Sequence, residues 1–323
     1  MNVFLVLCVV VASARTSDSF AGIRNSGNTC YLNSLLQTLY HCRPFREALL
    51  RSTQATKKRK RWRRLEAAEA LAKVFATLDR NATAQTRPLT RALAVDPRQQ
   101  QDAQEYLRLL LDHVEDLSAY EGELEAYLRV TEEEREDIGE AVESRRVERF
   151  LDLSLEIAGR RSVEAAFDAY FAPEQLTGDL QWRTKLFGKR DAEKGVVLKK
   201  APPFLVLHLK RFAYDFETDQ VTKLHDPLTI PTALDLASKF ATSDEECPDD
   251  AAAARYRLQA VVCHVGDGIA GHYYALVDPA GDGNWLRFDD ERVSRVDEAT
   301  VLEEGRGLRH CSAYLLQYKR VSH

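Results

Sequence analysis

The chain has 323 residues, 45% hydrophobic and 29% charged, with 15 glycines and 10 prolines. That length allows one large domain or two small ones, and the balance excludes collagen-like, Pro/Gly-rich and wholly disordered chains. Lys and Arg number 45 against 50 Asp and Glu, a formal charge of −5, so charge gives no reason to expect a nucleic-acid partner. A mean hydropathy of −0.37 excludes a polytopic membrane protein.

The first element is an apolar run, Val3 to Ala12 (VFLVLCVVVA), followed by Ser13-Ala14-Arg15. It is too short to cross a bilayer, which takes ~20 residues. It has the character of a signal-peptide apolar region, with Ala12-Ser13-Ala14 as an A-x-A cleavage site, but no Lys or Arg precedes it. The alternative is a buried strand or an atypical N-terminus. Residues 1–19 are therefore set apart as a leader. Asn81-Ala82-Thr83 is a glycosylation sequon, a pattern too short to settle compartment.

A Gly/Asn-rich turn at residues 21–29 leads into Leu32, Leu35, Leu36 and Leu39, whose spacing predicts a helix burying one face. Lys57 to Arg64 is a dense basic block, suited to nuclear import, to anion binding, or simply to a solvated loop or helix start. Gln101 to Val114 is a second amphipathic helix. Glu115 to Glu143 holds twelve acidic residues against Arg129 and Arg135, and reads as an exposed helix or mobile insertion. Beyond it the period changes: Phe150–Ile157 alternates as a strand and Pro203–Asp215 reads as one longer buried strand. The C-terminal third reads as strands and turns. Helices first and strands later give an α+β order.

Six cysteines, at 8, 30, 42, 247, 263 and 311, are too few for a disulfide scaffold. No C-x-x-C occurs, which argues against a structural zinc site. Cys30 stands where the Asn/Gly turn meets the first helix, so helix N-terminal N–H groups favour its thiolate. The competing role for it is that of a small buried hydrophobe. A nucleophilic thiol needs a base, and His272 is the candidate. Tyr273–Val277 and Trp285–Phe288 read as strands joined by a turn-rich link, residues 278–284. If Val277 and Trp285 flank the turn, paired residues sum to about 562 in the simplest antiparallel register. His272 then opposes Asp290, and a one-residue shift makes the partner Asp289; spacing does not choose between them. Asn25 and Asn28 precede Cys30 and could supply an oxyanion donor, or serve as Asx-turn residues, the role that better suits Asn28.

Phe20–Tyr40 (FAGIRNSGNTCYLNSLLQTLY) resembles the cysteine box of the ubiquitin-specific proteases, papain-like deubiquitinating cysteine peptidases. Gly271–Val277 (GHYYALV) with Trp285–Asp290 (WLRFDD) resembles their histidine box. Gln100–Asp112, Pro202–Asp215 and Ser312–Arg320 resemble the blocks between and after, in order. The strings GDGNWLRFDDERVSR and EKGV (Glu193–Val196) look most like the zinc-less, herpesvirus-associated type. The resemblance implies a papain-like fold with a helical thumb, a β-sheet palm and fingers, over one catalytic domain at 20–320. It implies Cys30 as nucleophile, His272 as general base, Asp289 as the orienting acid, Asn25 as oxyanion donor and Asp290 as a substitute or supporting partner. It further implies that Asp102, Glu105, His264 and Tyr273 line a channel for ubiquitin's basic, glycine-ended tail, with residues 215–226 and 266–271 as mobile loops over it.

Two departures stand out. The acidic stretch at 118–147 occupies the place of the fingers without a cysteine or an F-x-G strand, so the fingers are expected to be altered or reduced. The leader conflicts with the cytoplasmic or nuclear setting of ubiquitin chemistry, which is the setting expected. The expected protein is a monomeric deubiquitinase acting on ubiquitin and ubiquitinated proteins, with no metal, organic cofactor, nucleic acid or membrane. The rivals are a catalytically impaired ubiquitin-binding scaffold and a secreted thiol protease.

Overall fold

A computed structural model describes residues 20–55, 62–114, 116–215, 219–240, 254–266, 271–307 and 311–321. The leader at 1–19 with its signal-like pattern, residues 57–61 of the basic block, and the centres of the two loops (216–218 and 267–270) lie outside the described residues.

The first third is helical. A short strand β1 (Ile23–Arg24) precedes α1 (Cys30–Tyr40), α2 (Arg43–Ala55) and α3 (Trp62–Asp79). Then come β2 (Ala84–Gln85), parallel to β1, and the helices α4 (Arg87–Ala92) and α5 (Ala103–Leu111). All eleven residues of α1 are buried, because the helix packs against α2 and α5 as well as against strands of the large sheet. Asp102 caps α5, its Oδ1 accepting from the N–H groups of Gln104 (2.7 Å) and Glu105 (3.0 Å), which satisfies two of the donors a helix start leaves open.

The middle of the chain runs β3 (Gly122–Val130), α6 (Glu132–Ile138), β4 (Glu143–Phe150), β5 (Leu153–Leu155) and α7 (Val163–Phe171). It continues through β6 (Glu174–Leu176), β7 (Trp182–Thr184), β8 (Gly188–Arg190) and β9 (Ala192–Lys200). The last part is β10 (Phe204–Leu209), β11 (Phe212–Asp215), β12 (Gln220–Lys223), β13 (Ala233–Asp235), β14 (Arg255–Val265), β15 (His272–Val277), β16 (Trp285–Asp289), β17 (Arg292–Val296), α8 (Glu298–Arg306) and β18 (Cys311–Arg320).

Two sheets dominate. The larger has the order β17-β16-β15-β14-β18-β10-β5, with β13 also on β14; a four-stranded sheet has the order β4-β3-β9-β6. The strand period of two divides the large sheet between two cores. Val206, Val262 and Tyr273 face α1 and α5, whereas Leu205, Leu207, Val261 and Leu276 face the side where α7 and α8 pack. Helices and sheet thus segregate as an α+β chain does. Among the described residues no helix is long and apolar enough to cross a membrane.

Three expectations are corrected. The described residues 116–143 are not one exposed helix; beside the short α6 they contain β3, paired with β4 and β9. The excess of acid is local to the sequence window. Glu125, almost buried, meets Arg145 at 2.7 Å and Lys199 at 3.3 Å, and Glu121 meets Arg149 at 2.9 Å. The compensating cations stand on neighbouring strands, where cross-strand pairing is worth ~0.2–1 kcal/mol per pair. Pro203–Asp215 is not one strand either. It breaks at Lys210-Arg211, where Arg211 buries its guanidinium against the carbonyls of Leu224 (3.1 Å), Asp226 (2.8 Å) and Ala313 (3.3 Å). The C-terminal third also contains a helix, α8, capped by Asp297 accepting from the Thr300 N–H at 2.7 Å.

The segment before α1 is anchored to the far end of the chain. The Ile23 N–H donates to the Asp290 carbonyl at 2.8 Å. At Gly22 a Cβ would stand 2.5 Å from the backbone of Asp290 and Glu291, so only glycine permits this approach. Gly22→Ala is expected to destabilise the fold by about 1–3 kcal/mol, seen as a lower Tm in a thermal melt; an unchanged Tm would refute the close-approach argument.

Candidate active site

The turn before α1 is built around Asn25. Its Oδ1 accepts from the N–H of Gly27 (3.0 Å), the N–H of Thr29 (3.2 Å) and the Thr29 hydroxyl (3.2 Å). This Asx-type closure sets the chain entering α1, and Cys30 follows as the first helical residue, buried with 3% of its surface exposed. The Asn25 Nδ2 donates to Asp290 Oδ2 at 2.9 Å, and the other Asp290 oxygen accepts from Asn33 Nδ2 at 2.7 Å. One carboxylate therefore ties the turn before Cys30 to the helix that Cys30 begins.

His272 opens β15. Its Nε2 lies 2.6 Å from Asp289 Oδ1, which leaves Nδ1 as the ring nitrogen available to Cys30. The neighbouring Cys30, followed by the hydrogen bond to Asp289, raises the His272 pKa to about 9 against the opposing effect of burial. Imidazolium is thus held through neutral pH by a sulfur on one side and a carboxylate on the other.

The β15–β16 register decides between the two aspartates. Ala275 pairs with Phe288, Leu276 with Arg287 and Val277 with Leu286, so paired numbers sum to 563 (275 + 288), not 562. Extended outward, that register sets Asp289 against Tyr274, on the same face as His272, so the contact is diagonal. Asp290 falls on the other face, and its φ of 52° turns it out of the strand altogether. Asp289 is the partner of His272, and Asp290 serves the two asparagines. Asn28, the other candidate donor, points elsewhere: its Nδ2 donates to the Arg98 carbonyl at 2.6 Å.

The four residues expected along a tail channel separate into two pairs. Asp102 and Glu105 line a cleft of ≈540 Å³ together with Glu156, Lys210, Phe212 and Tyr314. Tyr314 donates its hydroxyl to Asp102 Oδ2, the oxygen not used in capping α5. His264 and Tyr273 do not line that cleft; they are buried at 0% and 2% exposure. Their rings pack 4.6 Å apart, and Phe212 lies 5.4 Å from His264. Burial pushes the His264 pKa down to about 3, assisted by Lys223 and His272, so it is neutral where His272 is charged. Lys223 donates to the carbonyls of His264 (2.9 Å) and Gly266 (2.8 Å), joining β12 to the end of β14.

Asn33 is a site residue that the sequence reading missed. The signal was present: it is a polar residue three positions after Cys30 inside a leucine-rich helix, and such a residue needs a buried partner. Among the described residues one grouping of metal-ligand type occurs, His272, Asp289 and Asp290, with ligand atoms within 4.8 Å of one another. His272 and Asp289 hydrogen-bond each other there, and both Asp290 oxygens accept from asparagine amides.

A thiol, an imidazole and a carboxylate in series form the chain of contacts used in cysteine acyl transfer. Comparison with known proteins shows the family. The family model described as "Ubiquitin carboxyl-terminal hydrolase" matches residues 21–318. The chain is 35% identical over 309 residues to Ubiquitin C-terminal hydrolase 12 of Arabidopsis thaliana, covering 91% of this chain and 27% of that protein. It is 34% identical to Ubiquitin carboxyl-terminal hydrolase 15 of Saccharomyces cerevisiae over 93% of this chain and 27% of that protein. It is 31% identical to Ubiquitin carboxyl-terminal hydrolase 7 of Drosophila melanogaster over 97% of this chain and 28% of that protein. The chain thus spans about a quarter of the length of these relatives. By the match over residues 21–318 and by these identities, it belongs to the ubiquitin carboxyl-terminal hydrolase family.

Proposed function

We propose that this chain is a cysteine-dependent deubiquitinase that hydrolyses the isopeptide or peptide bond after the C-terminal glycine of ubiquitin. The observation that carries the reading is His272 held between Cys30 and Asp289. In the first half-reaction the Cys30 thiolate attacks the glycine carbonyl. The oxyanion that forms is met by the Asn25 amide and by backbone N–H groups at the start of α1. His272 gives its proton to the departing amine, and the C–N bond breaks to leave a thioester. In the second, His272 takes a proton from water as it attacks the thioester, and the C–S bond breaks to release the Cys30 thiolate and the carboxyl product.

Asp289 keeps the imidazole oriented, while Asp290 keeps the Asn25 amide facing the site. The cleft with Asp102, Glu105 and Glu156 suits the basic tail of ubiquitin by charge, and the neutral, buried His264 and Tyr273 support it from beneath. We read the four-stranded sheet as the fingers, in altered form, and the strings at 193–196 and 281–295 as support for the zinc-less, herpesvirus-associated type. Ubiquitin conjugates are the partners in this reading, a monomer suffices for the chemistry, and the cytoplasm or nucleus is the setting.

The first test is reaction with ubiquitin carrying a C-terminal thiol-reactive group, followed by mass mapping. An adduct on Cys30 that is lost in Cys30→Ser and slowed in His272→Ala is expected; no adduct from a folded chain would sink the proposal in favour of a binding scaffold.

The raised His272 pKa gives a pH dependence with a definite sign. The charge contribution of His272 to stability is present below its unfolded value, ~6.5, and is lost as pH rises through about 9. The alkaline limb of kcat/KM is expected to fall over the same range, since imidazolium donates the proton to the amine. Asp289→Asn removes a negative neighbour and should move that limb to lower pH. A limb left in place by Asp289→Asn would show that the Asp289 carboxylate does not sustain the imidazolium.

Loss of the oxyanion donor should act on kcat more than on KM. Asn25→Ala is expected to lower kcat by ~10²–10³-fold. Asp290→Ala should approach the same loss, because it releases both Asn25 and Asn33. Steady-state kinetics with a fluorogenic ubiquitin substrate checks both, and a kcat unaffected by Asn25→Ala would remove that residue from the mechanism.

A further inference from the structure

Residues 96–101 lie between the turn that carries Cys30 and the strand that carries His272, and they hydrogen-bond to both. On one side the Asn28 N–H donates to the Pro97 carbonyl at 2.6 Å, and its Nδ2 to the Arg98 carbonyl at 2.6 Å. Gly27, with φ at +137°, leaves no room for a side chain there: a Cβ would stand 2.6 Å from the Pro97 oxygen. On the other side the Gly271 N–H donates to Gln100 Oε1 at 2.9 Å.

Gly271 immediately precedes His272 and is confined from below as well. A Cβ there would stand 2.2 Å from the Val265 oxygen and 2.5 Å from His264 Nε2. The sheet therefore limits movement of the strand start in one direction, and the Gln100 acceptor limits it in the other. The amide orientation follows from the bond, since a flipped amide would turn its NH₂ toward the Gly271 N–H. Nε2 is then buried with no hydrogen-bond partner, an arrangement that packing alone disfavours.

We propose that Gln100 is a positioning residue for the thiol–imidazole pair. Through Gly271 it sets how closely His272 approaches Cys30, and residues 96–101 carry that setting to the nucleophile's own turn. The alignment links three parts of the chain that are distant in sequence, and it acts on groups that Gln100 does not itself touch. The charged or titratable groups acting on His272 are Cys30 of α1, Asp289 of β16 and His264 of β14, with Asp290 close by. None of them belongs to residues 96–101.

The proposal rests on the deubiquitinase reading for its turnover assay but not for its spectroscopic one. Gln100→Met keeps the length of the side chain and removes the acceptor; Gln100→Glu keeps the acceptor. Gln100→Met is expected to lower kcat on a ubiquitin fusion substrate on the order of 10–100-fold, with KM little changed. The His272 titration, followed by NMR of ring-labelled histidine, should fall from about 9 toward the ordinary value of ~6.5. Gln100→Glu should restore kcat to within a few-fold of wild type and hold the titration at or above the wild-type value, since it adds negative charge nearby.

Wild-type kcat and titration in Gln100→Met would overturn the proposal, as would a lower Tm with both unchanged. A Gln100→Glu variant as impaired as Gln100→Met would also overturn it. Gln100→Ser, too short to reach Gly271, takes the place of Gln100→Met if that variant does not fold. The titration uses no ubiquitin. A wild-type chain whose His272 titrates near 9 but that turns over no conjugate would overturn the deubiquitinase reading, and the titrations of the Gln100 variants would then decide the positioning role on their own.

Discussion

The pairing of a thiol with an imidazole from opposite ends of the chain is the constraint on which the structure depends. Cys30 begins a helix in the first third, and His272 begins a strand in the last. They meet because α1 is buried along its whole length between the other helices and the large sheet. Apolar burial gives the docking its strength, at roughly 25 cal/mol per Å², but it is non-directional and does not fix a register. The register comes from buried polar groups. Asn33 must reach Asp290, and the Gln37 amide donates to the Ala21 carbonyl at 3.0 Å. A helix that slid or rotated would leave these groups dry and unpaired, at about 1–3 kcal/mol each. The polar residues of α1 thus select one seating among the many that its leucines would accept.

The electrostatics of the site follow from the same burial. His264 and His272 occupy adjacent strands and shift in opposite directions, one down to about 3 and the other up to about 9. The difference lies in their partners. His264 has aromatic neighbours and the Lys223 ammonium, and neither ring nitrogen finds a hydrogen-bond partner. His272 has a thiol and a carboxylate. Two imidazolium ions this close would repel each other, so keeping His264 neutral also helps His272 stay charged.

Much of this was legible in the sequence, and the failures have physical causes. The helix of Leu32, Leu35, Leu36 and Leu39 could be read because its period belongs to the segment itself. Cys30 and His272 could be read because their chemistry is scarce and because the flanking blocks resemble a known family. The acidic stretch was misread because its cations lie on β4 and β9, outside the window in which the charge was counted. His264 and Tyr273 are buried and do not line the cleft of Asp102 and Glu105; strand alternation says which residues share a face, not whether that face is covered. Asn33 and Gln100 were overlooked for a related reason: their partners, Asp290 and Gly271, stand far along the chain.

The two consecutive aspartates show most clearly where local reading stops. Spacing alone made either of them the partner of His272, since one residue of register exchanges the faces of a strand. In the folded chain both are used, and the backbone divides the work. Asp289 ends β16 on the face of His272. Asp290 adopts φ of 52°, a left-handed conformation that aspartate tolerates better than most side chains, and the strand stops there. That turn carries its carboxylate to Asn25 and Asn33 and brings its carbonyl to the Ile23 N–H at 2.8 Å. A single strand end thus gives one carboxylate to the imidazole of His272 and the next to the amides of Asn25 and Asn33.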